Sequence, residues 1–145
     1  MSAKRISLDA NILFYAIDSD AGERHHLAQE VVARAARELD CVLTLQALCE
    51  FVAAATRKGK LSIAQAAEQV ADWQILFPVV STRPESLHRA LQAVEQHNLS
   101  FWDALLWAVA REAGVQLLLS EDFQHQRVLD GVQFWNPFLT PPPPH

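Results

Sequence analysis

Four carboxylates stand at strand ends or within largely apolar helix segments: Asp9, Glu50, Asp103 and Asp122. Asp9 ends the short run Ile6-Ser7-Leu8 and has Asn11 beside it. Glu50 is the only charged residue between Asp40 and Arg57, in the stretch Leu45-Gln46-Ala47-Leu48-Cys49-Glu50-Phe51-Val52-Ala53-Ala54-Ala55. Asp103 is the sole charge from Phe101 to Ala110, and Asp122 sits in Ser120-Glu121-Asp122-Phe123. A carboxylate in an apolar helix, as Glu50 is, is costly unless paired or bound to a metal. Gathered at one place, these acids would repel one another strongly, and a hard divalent ion such as Mg²⁺ resolves that conflict. The chemistry implied is hydrolysis of a phosphodiester, in which the cation activates water for in-line attack and stabilises the charge growing on the phosphate and the leaving oxygen.

Each acid also has an ordinary reading. Asp9 suits the cap of a following helix. Glu50 would serve as an outward-facing residue or half of a buried ion pair. Ser100 and Asp103 have the spacing of a capping box, with the acid at the positive end of a helix. Asp122 fits a polar turn, and the adjacent Glu121 would serve the metal reading equally well. None of the four proves chemistry alone; their collective placement carries the argument.

That placement depends on the elements around them. Residues 6–8 read as a strand giving way at Asp9 to a helical turn or two over 10–16. Leu27, Val31, Val32, Ala35 and Leu39 recur at helical spacing within 22–39, opposite a charged face. A strand candidate at 41–44 precedes a helix over 46–57 that Gly59 closes. Further helices are expected at 62–76, at 84–97 with Pro84 in its first turn, and at 101–113 before Gly114. Strands are expected at 78–80, 115–119 and, more weakly, 132–135. Short strands alternating with helices predict a single α/β domain: an α/β/α sandwich with a central parallel sheet. In such a sheet ligands bind at the carboxyl ends of the strands. The domain is expected over 1–139, with 140–145 a Pro-rich, extended tail.

A chain of 145 residues is long enough for one core and too short for two ordinary domains. It has no run approaching the roughly 18 apolar residues of a membrane span, and its start lacks the apolar stretch of a signal peptide, so a soluble cytoplasmic protein without a membrane partner is expected. Cys41 and Cys49 are not spaced as a zinc half-site. The net charge of −5 argues against a protein that holds nucleic acid mainly by bulk electrostatics. It is compatible with a nuclease that places cations between its acids and a phosphate, and it suits a basic protein partner.

The ordered set Leu8-Asp9-Ala10-Asn11-Ile12-Leu13, the helix bearing Glu50, Ser100-Phe101-Trp102-Asp103-Ala104 and Leu119-Ser120-Glu121-Asp122-Phe123 resembles PIN-domain ribonucleases, and among them the VapC-type toxins of toxin–antitoxin pairs. The closing Gly131-Val132 to Phe134 and Asn136-Pro137-Phe138 also look like the end of such chains. The resemblance implies endonucleolytic cleavage of RNA, with Mg²⁺ or Mn²⁺ held by Asp9, Glu50, Asp103 and Asp122. It implies that Asn11 orients the first acid and that Ser120 supports the site by hydrogen bonding. It also implies a homodimer neutralised by a small antitoxin protein. Ala10 departs from the Thr often found after the first Asp, and the pair Glu121 and Asp122 leaves the fourth acid open.

Two competing functions remain to be weighed. A receiver-like Mg²⁺-binding signalling module would need a phosphorylatable Asp after a middle strand, which Pro78-Val79-Val80-Ser81 does not provide. A catalytically silent PIN-like domain would bind a partner without needing its carboxylates. His25 and His26 lie on the polar side of an amphipathic helix and read as surface or packing residues. The run Arg57-Lys58-Gly59-Lys60 is the best local candidate for phosphate contacts, against the ordinary reading of a solvated helix end.

Overall fold

Ile6, Ser7 and Leu8 are all buried, as a strand in the middle of a sheet covered on both faces requires. The computed structural model describes residues 4–141. In chain order the elements are β1 (Arg5–Leu8), α1 (Ala10–Ile17), a 3₁₀ turn (Ser19–Ala21), α2 (Glu23–Glu38), β2 (Asp40–Cys41), β3 (Leu43–Thr44), α3 (Leu45–Arg57), α4 (Ile63–Leu76), β4 (Val79–Val80), α5 (Pro84–His97), α6 (Phe101–Glu112), β5 (Leu117–Leu119), β6 (Val128–Leu129) and β7 (Val132–Trp135).

The main sheet has the order β2-β1-β5-β7-β6. Its β2–β1, β1–β5 and β5–β7 pairings are parallel and β6–β7 is antiparallel. The sheet is therefore mixed rather than wholly parallel. The cause is local: β6 and β7 are joined by Asp130-Gly131, both at positive φ, 49° and 87°, which is the two-residue hairpin turn that Asp-Gly favours. Trp107 on α6 fastens this hairpin by donating its indole N–H to the Leu129 carbonyl at 3.1 Å.

The expected strand at 41–44 divides in two. The Val42 N–H donates to Ile6 O at 3.0 Å, whereas the Leu43 N–H donates to Pro78 O at 2.9 Å. The chain thus leaves the main sheet at Val42 and pairs with β4 in a separate two-stranded sheet. This shift delivers α3 directly from Thr44, whose hydroxyl caps the helix by accepting the Ala47 N–H.

Alternate residues of β5 face different layers. Leu117 and Leu119 pack with residues of α1 to α4, including Phe51 and Trp73, whose rings meet edge to face at 4.8 Å. Leu118 packs with Ala90, Ala93 and Leu106 of α5 and α6, and with the stacked pair Phe123 and Phe134. The result is the expected α/β/α sandwich in one domain. Burying a side chain of Leu or Phe size contributes about 1.5–3 kcal/mol, so the two layers hold the strand ends firmly. No helix of the described residues is long and apolar enough to cross a membrane. Of the expected tail, the Thr140 carbonyl accepts the Trp135 indole N–H at 3.0 Å, and 142–145 lie outside the described residues.

Candidate active site

Leu8 and Leu119 are register partners on adjacent parallel strands, so the residues that follow them, Asp9 and Ser120, leave the sheet at one level. Asp9 is 4% exposed and Ser120 fully buried. The Asp9 N–H continues the sheet by donating to Leu119 O at 2.9 Å. Its carboxylate accepts the Ala10 N–H on Oδ1 and the Ser120 hydroxyl on Oδ2, each at 2.7 Å. The capping role and the proposed site role of Asp9 therefore coexist.

Ser120 is saturated. Its hydroxyl gives its one proton to Asp9 and accepts from the Asp122 N–H at 3.0 Å and the Asn11 side-chain amide at 3.3 Å, the full capacity of a hydroxyl. Asn11 thus reaches Asp9 through Ser120, and its own Oδ1 is buried without a partner.

Glu50 rides on α3, whose buried face is Ala47, Leu48, Phe51 and Ala55. The helix is not apolar-packed all round as its composition suggests, because Cys49 and Ala53 are exposed. Glu50 stands half-buried at the edge of the packed face, where Gln46 one turn earlier donates weakly to its Oε1 at 3.5 Å and more firmly to Trp102 O at 2.9 Å. Gln46 so ties α3 to the first turn of α6. There Ser100 caps the helix, accepting the Asp103 N–H at 3.4 Å. α6 is continuously buried from Ala104 to Ala110, yet Trp102 beside Asp103 is 60% exposed.

The two adjacent acids after β5 separate cleanly. Glu121 accepts the Tyr15 hydroxyl at 2.6 Å and pairs with Arg24 at 3.2 Å, and the Arg24 guanidinium lies over the Phe138 ring at 5.4 Å. Asp122 is exposed and enters no ion pair among the described residues. The uncommitted acid is Asp122.

Asp9, Asn11, Glu50, Glu121 and Asp122 line a cleft of about 380 Å³, together with Tyr15, Arg57 and Lys58. Asp103 does not line it, but stands within electrostatic reach. Burial is the main cause pushing Asp9 up to about 7, with the charges of Asp122 and Glu50 adding to it against the two hydrogen bonds. Burial likewise raises Glu50 and Asp103; Glu50 feels Asp103 and Asp122, and Asp103 feels Asp122. Asp122 is the one charge felt by all three others. No three carboxylate, histidine or cysteine side chains among the described residues are already gathered as a ligand cage. The acids share one field without converging on one point.

His25 and His26 lie away from the cleft on α2, where His25 Nδ1 lies 2.8 Å from the Tyr15 carbonyl. Sequence reasoning passed over Tyr15, Arg24 and Gln46. For Tyr15 a signal existed, since it follows Asn11 at i+4 on α1 and so shares its face. The partnership of Arg24 with Glu121 spans 97 positions and has no local signature. Beside the cleft, an apolar groove of about 470 Å³ is lined by Leu45, Cys49, Trp102 and Leu105 and shares Glu50 and Ala53 with it.

A family model for the PIN domain matches residues 6–130. Among solved structures, the chain is similar to VapC20 of Mycobacterium tuberculosis, a sarcin–ricin loop cleaving toxin, at 21% identity and TM-score 0.65, over 81% of this chain and 91% of that one. It is similar to VapBC2 from Rickettsia felis bound to a DNA fragment from their promoter, at 12% identity and TM-score 0.65, over 91% and 99%. A toxin–antitoxin complex from Klebsiella pneumoniae matches at 19% identity and TM-score 0.62, over 90% and 95%. At these identities the likeness shows a shared fold. A comparison with curated proteins found no match.

Proposed function

Because the chain belongs to the PIN-domain family, we propose that it is a metal-dependent endoribonuclease that hydrolyses RNA phosphodiester bonds and acts as the toxin of a VapBC-type toxin–antitoxin pair. The observation that carries this reading is the placement of Asp9, Glu50 and Asp122 around one cleft at the carboxyl ends of β1 and β5, with the charge of Asp103 felt by Glu50. The similar structures, among them a loop-cleaving toxin and a toxin–antitoxin complex, support the toxin reading and a small antitoxin protein as partner. The homodimer and a cytoplasmic setting rest on the family resemblance.

The donor chemistry fits Mg²⁺ or Mn²⁺. All four acids offer hard oxygen, and three of them are pushed up in part by one another's charge, a conflict that a cation removes. Mg²⁺ takes one or two carboxylates and keeps several waters, so a ready-made cage is not needed. Asp9, Glu50, Asp103 and Asp122 would hold the ion. When bound, it supplies activation of water and stabilisation of charge on the phosphate.

The chain's own residues do the positioning. Ser120 and the Ala10 N–H fix both oxygens of Asp9, and the same Ser120 hydroxyl fixes the backbone of Asp122. Gln46 sets α3 against α6 and with it Glu50 against Asp103. Glu121 and Tyr15, hydrogen-bonded to each other, also line the cleft. A second reading, a silent partner-binding domain, draws on the lack of a preformed cage among the described residues. Expression of the chain alone is expected to arrest growth, and Asp9→Asn or Asp103→Asn, folded to the same extent, is expected to abolish the arrest. Arrest that survives both substitutions would favour the silent domain.

A further inference from the structure

The basic run at the end of α3 splits in the fold. Lys60 turns to the connection between α1 and α2, where its Nζ lies 3.0 Å from Asp18 Oδ1 and 2.8 Å from Asp20 Oδ2. It is a fastener. Arg57 and Lys58 instead line the same cleft as Asp9, Glu50 and Asp122. Neither enters an ion pair among the described residues, whereas Arg24, the other cation near the cleft, is neutralised by Glu121.

Lys58 is also placed. Its ammonium sits 4.5 Å from the centroid of the Phe14 ring, and Phe14 is itself buried and part of the cleft wall. A cation over an aromatic face is held there by the ring quadrupole. Gly59, at φ +68°, ends the helix immediately after and directs Lys60 away. Neither cation is paired with these acids among the described residues.

The cleft is bipolar as a result. Arg57 and Lys58 follow Glu50 by seven and eight residues, hence about 10–12 Å along the helix at 1.5 Å per residue. Glu50 and the two uncommitted cations are thus set apart along α3 while lining the same cleft. We propose that Arg57 and Lys58 form a phosphate subsite for the substrate strand, binding a backbone phosphate displaced along α3 from the phosphate held at the carboxylates. The inference rests on the ribonuclease reading and deepens it.

The two side chains divide the work by their shapes. The Arg57 guanidinium presents a planar fork that takes two phosphate oxygens, and Lys58 adds a point charge from the Phe14 side. Such contacts set register and orientation without reading bases. A strand anchored there has a fixed length of backbone before it reaches Asp9, so the subsite selects which bond is presented.

The test measures equilibrium binding of a labelled single-stranded RNA to the full chain carrying Asp9→Asn, across a salt series. Single strands lose about 0.7 in log K per log unit of salt for each phosphate contact. Adding Arg57→Ala and Lys58→Ala together is expected to flatten the slope by about 0.7, one phosphate's worth, with the melting temperature retained. The charge-keeping pair Arg57→Lys and Lys58→Arg is expected to keep the parent slope. Lys60→Ala is expected to lower the melting temperature and leave the slope alone. An unchanged slope in the double alanine variant, with RNA still bound, overturns the subsite and leaves the ribonuclease reading standing. A parent that binds no RNA at any salt overturns both.

Discussion

The Ser120 hydroxyl donates to Asp9 Oδ2 at 2.7 Å while accepting the Asp122 N–H at 3.0 Å, so one buried group sets the positions of two candidate metal-binding acids. Ser120→Ala leaves Asp9 with one hydrogen bond and strands the Asn11 amide. Losing buried partners of this kind costs about 1–3 kcal/mol, and loss of a residue that orients ligands costs about 10–100-fold in metal affinity or activity. Urea unfolding is expected to show the stability loss, and cation titration the affinity loss.

Glu121 and Asp122 are adjacent and differently employed. Glu121→Gln breaks a partly exposed pair with Arg24, worth about 0–1 kcal/mol, and is expected to keep RNA cleavage. Asp122→Asn removes the charge that reaches Asp9, Glu50 and Asp103, and is expected to abolish cleavage while stabilising the metal-free protein. The reverse ranking of the two variants in a cleavage assay would assign the fourth acid to Glu121.

Asp9 gives the metal-free protein a pH-dependent stability. Its carboxyl is raised from 3.8 to about 7 in the folded state, so the folded chain holds a proton that the unfolded chain has released. Stability from this group is fully present below about 3.8 and is lost as pH rises toward about 7, by on the order of 4 kcal/mol. Asp9→Asn cannot release that proton. Its stability relative to the parent is expected to improve from pH 4 to about pH 7 and to level off above that in paired denaturant titrations; a constant difference across that range would contradict the burial argument.

A divalent cation should reverse that trend. Binding to the folded state alone stabilises it by about 2.7 kcal/mol at a hundredfold excess over the dissociation constant. Mn²⁺ or Mg²⁺ with EDTA as control is expected to raise the melting temperature at pH 8, with the increment lost in Asp9→Asn. An equal increment in parent and variant would place the ion elsewhere.

Much of this site was legible in the sequence because the signals were local. Asp9 after Ile6-Ser7-Leu8, Ser100 ahead of Asp103, and Ser120 after residues 115–119 each announce a boundary between elements, and an α/β sandwich aligns such boundaries at one edge. The Asp130-Gly131 hairpin was equally local, but the two-residue strand before it is too short to show periodicity. The split of residues 41–44 between two sheets had no local signal, because both halves are apolar and only long-range partners decide. The same holds for Glu121, whose commitment to Tyr15 and Arg24 depends on α1 and α2 folding against β5. Trp102 lies on the open side of the first turn of α6, a helix buried from Ala104 to Ala110, and its aromatic type gives no sign of that.

The central claim, that these acids cut RNA, is tested most directly by incubating the purified chain with structured RNAs in Mg²⁺ or Mn²⁺, with EDTA, and beside Asp9→Asn. Defined fragments that require the cation and vanish in the variant are predicted. Intact RNA under every condition, or fragments that persist in Asp9→Asn, would contradict the account.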